Sequence, residues 1–416
     1  MLKRVATAEL RVGMYIDEFC GSWMDHPFWR TRFLIRSDAD LEKIHSSGVQ
    51  EVWIDASKGL DCAGAPASAD RAETQSRVED ELRSVASAGP GAAQRKSEIS
   101  AEFERATKIL RQSRSAVSQL FGEARLGKVG SADTARAVVA DIADSVSRHP
   151  SALIGLARLK TADDYTFMHS MAASALMVAL ARALGHDEQR VNDAGMAGLL
   201  HDVGKAHIPL SILNKPDTLN EEEWQLMRSH PERGHAALQA VQDVPAEALD
   251  AVLHHHEKMD GSGYPHRLPG DRICELARMT AICDVYDAVT SDRAYKAGWE
   301  PTVAVRKMAE WKGHFDEKLF KCFVRTVGIY PLGSLVRLKS QRLAVVVDHD
   351  PAHLLQPVVK VFFSLKSKVH IEPFLVNLEK TQTDRIVNCE DPASYGFKHL
   401  PELWLPPGAV AAKAPA

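Results

Sequence analysis

The stretch from residue 151 to residue 330 constrains the fold most. Long segments rich in Ala, Leu and Met run there at helical spacing, and turn chemistry interrupts them at NKPD, DGSGYP and AGWEP. Such segments bury their apolar faces against one another, so an all-helical core is expected over 151–330.

The flanks have a different texture. Residues 1–61 alternate short apolar runs with turn residues (LRVGMYIDEF, FWRTRFLI, VQEVWID) around DADLEKIHSS, which has helical spacing and an Asp cap. That pattern predicts a small α+β domain. Residues 62–97 are dominated by Ala, Ser, Gly, Pro and charge, too poor in bulky apolar residues to bury a core, and are read as a flexible linker. Two helical patterns, near 98–122 and 132–149, form a lead-in over 98–150, the second opened by Ser131 as N-cap. Beyond Tyr330 the Val-rich runs SLVRLKS, RLAVVVD and PVVKVFF predict a β-rich extension ending in a Pro- and Ala-bearing tail, over 331–416. The expected fold class is therefore mainly α, with a small α+β unit before the helical core and a β-rich unit after it.

Composition narrows the function classes. A chain of 416 residues is longer than single cores usually grow. With 25% charged residues and a formal net charge of −4, nothing marks a nucleic-acid partner. No run approaches the roughly 18 apolar residues of a membrane span, and MLKRVATAEL lacks the apolar centre of a signal peptide, so a cytoplasmic protein is expected. The six cysteines include no CxxC pair and are read as reduced thiols, most of them packing residues.

The chemistry concentrates in the helical region. His169, His201 with Asp202, His230, the run His254, His255 and His256, and Asp284 lie there with no thiolate near them, and five imidazoles and two carboxylates make seven candidate ligands. A lone structural zinc site uses four ligands and often cysteine. Seven N and O donors suit instead a pair of six-coordinate ions. Adjacent helical residues point about 100° apart, so His201 and Asp202 can reach different sides of one metal pair. Lys205, three residues on, shares a face with Asp202 and is placed to hold an anionic oxygen. Each residue has a bland account when taken singly: a buried aromatic at Tyr165 and a satisfied core histidine at His169, a helix-end residue at His230 before Pro231, a solvated turn at 254–256, a cap at Asp284. Together they indicate a metal centre. Two ions a few Å apart lower the pKa of a shared water and clamp a phosphoryl group, which points to phosphoester hydrolysis.

The ordered blocks HS (169–170), HDVGK (201–205), IPLSILNKPDTLNEEEW (208–224), HPERG (230–234), HHEKMDGSGYP (255–265) and AICDVYDAVTSDRAYK (281–296) resemble the HD-GYP family of the HD phosphohydrolase superfamily. Its members hydrolyse cyclic di-GMP. The resemblance covers about 160–325 and implies metal ligands at His169, His201, Asp202, His230, His255, His256 and Asp284, with Asp202 as the bridge. It also implies that Lys205, Arg293 and Lys296 contact substrate phosphate, and that Gly263, Tyr264 and Pro265 form the signature loop. Catalysis would centre on Asp202 and Lys205. The same resemblance implies two divalent metal ions, iron first and manganese second. It associates the GYP loop with the substrate site and with docking of GGDEF-type signalling proteins, and a homodimer is compatible with it. Residues 9–60 are similar, more loosely, to a small domain that precedes HD-GYP domains in many proteins.

Three departures stand out. Some members carry a carboxylate four residues before the first ligand histidine, adding a third metal. Tyr165 occupies that place here, so two metals are expected. His254 adds a histidine before the usual pair and is expected to be exposed, and Glu317 stands where proline is common. Three other readings stay open at this point: an HD enzyme acting on another cyclic dinucleotide, a receptor that binds cyclic di-GMP without cutting it, and a mainly structural interaction module.

Overall fold

The computed structural model describes residues 2–21, 32–47, 49–62, 71–87, 98–126, 131–159, 165–215, 219–292, 298–381, 383–397 and 399–405. Strands β1 (Leu2–Ala6), β2 (Tyr15–Cys20), β3 (Phe33–Leu34) and β4 (Glu51–Asp55) form an antiparallel sheet of order β1-β4-β2-β3, crossed by helix α1 (Asp38–Ser46). Val5, Ile16, Ile35, Ile44, Val52 and Ile54 give this unit its own buried core. The helix cap differs from expectation. Ser37 is the N-cap, its hydroxyl accepting from Asp40 N while the Asp40 carboxylate accepts from Ser37 N, so the Asp contributes the return half of a capping box. The aromatics Trp23, Phe28 and Trp29 lie outside the described residues.

The linker reading of 62–97 needs correction. Residues Arg71–Ser87 form a 17-residue helix, α2, whose buried positions Thr74, Val78, Leu82 and Ala86 recur every four residues. That narrow stripe lies against α13 (Pro301–Glu310), α14 (Glu317–Val327) and β1. A helix that buries one stripe and exposes the rest needs few bulky apolar residues, which explains the misleading composition. Arg71 pairs with Glu18 at 2.9 Å, Arg306 with Glu79 at 3.1 Å, and Lys307 with Glu18. Arg4 pairs with Glu51 and donates to the Glu310 carbonyl at 3.1 Å. The N-terminal sheet is thus tied directly to α13.

Helices α3 (Ile99–Arg125) and α4 (Asp133–Arg148) make the lead-in, joined through the fully buried Glu102, which accepts from Ser145 Oγ (2.9 Å) and Arg148 Nε (2.8 Å). At the entrance of α4, Ser131 Oγ accepts from Asp133 N. Next come α5 (Pro150–Ala157), α6 (Tyr165–Ala183), α7 (Glu188–Leu200), the single turn α8 (Leu210–Leu213), α9 (Glu221–Arg228), α10 (His230–Gln239), α11 (Ala246–His254) and α12 (Glu275–Thr290), followed by α13 and α14. Helices α6 and α12 are buried at nearly every position and run through the middle of the bundle. Polar side chains on them are therefore forced into the interior.

Five antiparallel strands follow: β5 (Leu335–Leu338), β6 (Arg342–Asp348), β7 (Val358–Ser364), β8 (Val369–Asn377) and β9 (Ile386–Cys389), in the order β8-β7-β6-β5-β9. A short helix α15 (Pro401–Trp404) covers part of β6. Leu335, Val336 and Val345 share one continuous buried cluster with α3 through α14. The change of texture at residue 330 is thus a change of secondary structure without a break in the core.

Candidate metal centre

The candidate ligands stand where a helix ends or bends, except two that lie inside helices. His201 directly follows α7 and its Nδ1 donates to Gly198 O at 2.8 Å. His230 stands where α9 gives way to α10, with Nδ1 donating to Met227 O at 2.8 Å, and His255 caps α11, donating to Val252 O at 2.9 Å. His169 lies inside α6 and Asp284 inside α12. Residues 201–207 leave the α-helix for a turn and a 3₁₀ helix (Val203–His207), and three residues per turn still bring Lys205 over Asp202. Lys205 Nζ sits 2.5 Å from Asp202 Oδ2.

These elements bring all seven side chains together. Asp202 stands between two groups of imidazoles. Its Oδ2 lies 3.2 Å from His169 Nε2 and 3.4 Å from His201 Nε2, while its Oδ1 lies 3.3 Å from His230 Nε2 and 4.0 Å from His255 Nε2. Asp284 Oδ1 is 3.0 Å from His169 Nε2 and 3.6 Å from His201 Nε2. Donor atoms of His169, His201 and Asp202 fall within 4.8 Å of one another, as do those of His230, His255 and His256, and those of His201, His255 and Asp284. All seven are buried except His256, which is half-buried at the mouth beside Lys205.

The donor set fits divalent cations on structural grounds. With Nδ1 committed to a carbonyl, a neutral imidazole carries its lone pair on Nε2. The Nε2 atoms of His230 and His255 nevertheless face each other at 3.2 Å, and Asp202 Oδ1 is buried without accepting a hydrogen bond. Converging lone pairs and an unmatched anion are what a cation resolves, and N and O donors suit first-row divalent ions.

Electrostatics divide the cluster. Burial alone would lower every imidazole pKa, but Asp202 and Asp284 outweigh it at His201, which is pushed up to about 10, and with Asp287 they also raise His169. His230, His255 and His256 are lowered chiefly by burial, His255 to about 3 with His201 and His230 adding to the effect. Burial raises Asp202 and Asp284, yet Lys205 and His201 at the first and His169 and His201 at the second hold both well below the usual carboxylate range. The raised histidines stabilise the fold below their unfolded pKa near 6.5, and at His201 that contribution is lost as pH rises toward about 10. The depressed aspartates contribute above about 3.9 and are lost on acidification. A cation must displace the proton held by His201, so Mn²⁺ uptake should release protons at pH 7 and tighten from pH 6 to pH 8. Calorimetry in buffers of different ionisation enthalpy checks this, and a pH-independent, proton-neutral uptake would contradict it.

The signature loop closes one wall. The Tyr264 ring stacks on His256, centroids 4.7 Å apart, and the Arg228 guanidinium lies 5.4 Å from the Tyr264 ring and 5.3 Å from that of Trp224. A Cβ at Gly263 would overlap the backbone of His256, Glu257 and Lys258, so the loop lies flush on the histidine pair. Buried Glu257 accepts from His266 N (2.6 Å) and Leu268 N (3.0 Å) and clamps the loop on the far side of Pro265. Tyr165 stacks on His169 at 5.7 Å. His254 is buried, contrary to expectation, paired with Asp250 (3.0 Å) and His266 (2.9 Å). Arg293 and Lys296 lie outside the described residues. Sequence reading missed Glu257 and Asp287. The second was within reach, since it follows Asp284 by one helical turn.

Two family models match the chain. A domain of unknown function, DUF3391, covers residues 2–135, and an HD domain covers 139–319. Cyclic di-GMP phosphodiesterase PA4108 of Pseudomonas aeruginosa is 48% identical over 408 residues, spanning 97% of this chain and 96% of that protein. The chain belongs to the HD-GYP family. Shorter stretches resemble other phosphodiesterases. 3'3'-cGAMP-specific phosphodiesterase 2 of Vibrio cholerae is 42% identical over 34% of this chain and 27% of its own length, and the response regulator RpfG of Xanthomonas campestris, a cyclic di-GMP phosphodiesterase, is 38% identical over 41% and 47%. In this HD-GYP protein the upstream match runs on to residue 135, through α2 and α3 and well beyond the small sheet. No helix among the described residues is long and apolar enough to cross a membrane.

Proposed function

We propose that this chain is a cytoplasmic, metal-dependent phosphodiesterase that opens cyclic di-GMP to linear pGpG, with GMP as the onward product. The observation that carries the reading is the place of Asp202, one oxygen toward His169 and His201 and the other toward His230 and His255. End-to-end similarity to a cyclic di-GMP phosphodiesterase supports the substrate. His169, His201, Asp202 and Asp284 would hold one ion and Asp202, His230, His255 and His256 a second, iron before manganese. Bound there, the ions supply charge neutralisation at the phosphoryl group and a water of lowered pKa.

The chain's own residues do the rest. Burial of the cluster excludes bulk water, so charge-charge interactions within it are strong. Lys205, at the rim and now turned to Asp202, is placed to take a non-bridging phosphate oxygen, and Arg293 and Lys296 would add cationic contacts from the segment after α12. Gly263, Tyr264 and Pro265 shape the wall against which the substrate lies, and their outer face would dock GGDEF-type partners. The catalytic domain of this reading is 151–330, carried by the units before and after it, and a homodimer is compatible with it.

The similarity to a 3'3'-cGAMP-specific relative favours testing a second cyclic dinucleotide. Metal-loaded chain incubated with cyclic di-GMP or with 3'3'-cGAMP, products resolved chromatographically, should yield pGpG from the first at the higher kcat/KM. Faster cleavage of 3'3'-cGAMP would move the assignment to the hybrid nucleotide, and tight binding without cleavage of either would make the chain a receptor.

A further inference from the structure

His169 is braced differently from its neighbours. His201, His230 and His255 each stand at a helix end, where carbonyls of the last turn lack helical partners, and each donates Nδ1 to the carbonyl three residues upstream. His169 stands inside α6, where the i→i−4 ladder already engages those carbonyls. Its Nδ1 instead meets Asp287 Oδ2 at 2.5 Å. Asp287 is 1% exposed and follows Asp284 by one turn of α12, so the same helix face presents a carboxylate to each ring nitrogen of His169.

We infer that Asp287 is a positioning residue that fixes the orientation and tautomer of His169 and makes it the one carboxylate-backed imidazole among the four. The inference rests on the metal reading above. A carboxylate partner fixes the ring more firmly than a carbonyl and makes the opposite nitrogen a better donor. The His169 pocket therefore binds a divalent ion more tightly than the His230, His255 and His256 pocket, and the two fill in order.

The test uses the full chain stripped of metal and titrated with Mn²⁺, with stoichiometry from element analysis and imidazole tautomers from long-range ¹H–¹⁵N spectra. The wild-type chain should bind two equivalents of unequal affinity. Asp287→Ala and Asp287→Asn should each weaken one equivalent by about ten- to a hundredfold and leave the other unchanged. Asp287→Asn, which still accepts from Nδ1, should keep the His169 tautomer that Asp287→Ala loses. Asp287→Asn keeps the question answerable should the alanine variant fail to fold. Variants that titrate like wild type would overturn the inference. So would an Asp287→Asn chain that loses both equivalents together with its cooperative thermal unfolding, which would make Asp287 a core-packing residue. A wild-type chain that takes up no Mn²⁺ would instead overturn the metal reading beneath it.

Discussion

Asp202→Ala is expected to lower kcat/KM for cyclic di-GMP by roughly a thousandfold or more and to cut metal content to less than half of wild type. Its two oxygens face opposite halves of the cluster, His169 and His201 on one side, His230 and His255 on the other. Its loss also removes a leading support of the raised His201 pKa and releases Lys205 from its 2.5 Å contact. Asp202→Asn keeps the shape and one acceptor but not the charge, so it should retain the fold and still lose most metal. Hydrolysis and metal content by element analysis decide the matter, and wild-type turnover in either variant would remove Asp202 from the mechanism.

Gly204→Ala should be nearly as damaging without touching a candidate ligand. Gly204 lies in the 3₁₀ turn after Asp202, pressed on α10, and a Cβ there would run into the carbonyl oxygen of His230 and the amide nitrogen of Gly234. Both are backbone atoms and cannot rotate away. The turn must lift off α10, drawing Asp202 away from His230. Overpacking of this kind costs about 1–3 kcal/mol, which for a domain of 150–250 residues lowers Tm by several degrees. Metal binding should weaken in parallel. Gly122→Ala in α3, where an added Cβ meets nothing within 4 Å, is the matched control and should stabilise by up to about 1 kcal/mol. Equal melting curves for the two variants would show that the Gly204 contact is looser than the structure has it.

The candidate site was largely legible because its residues are of rare types in ordered blocks, and the family resemblance of those blocks singled out His169, His201, Asp202, His230, His255, His256 and Asp284. What escaped was second-layer geometry. Asp287 is set apart from a helix-face aspartate by its burial and its contact with His169, and Glu257 by its burial and the two amides it accepts from. His254 was misread because a run of three histidines resembles a solvated turn, while the last turn of α11 points it at Asp250 and His266. In the fold, β5 to β7 were readable from buried Val runs. Strand β8 was not: as an edge strand with Pro373 inside it and Phe374 and Leu375 exposed, it lacks the one-sided alternation that marks a half-buried strand. Helix α2 was hidden by its narrow stripe.

That stripe also decides where the chain can be divided. A fragment beginning at residue 98, the natural choice if 62–97 were mere spacer, would strip Val78 and Leu82 from α13 and α14 and leave an apolar trough open to water and to other copies. A fragment beginning just before Arg71 keeps the trough covered and preserves the Arg306–Glu79 pair. Dissection of the sheet from the helical body belongs upstream of α2, and α2 travels with the helices it covers.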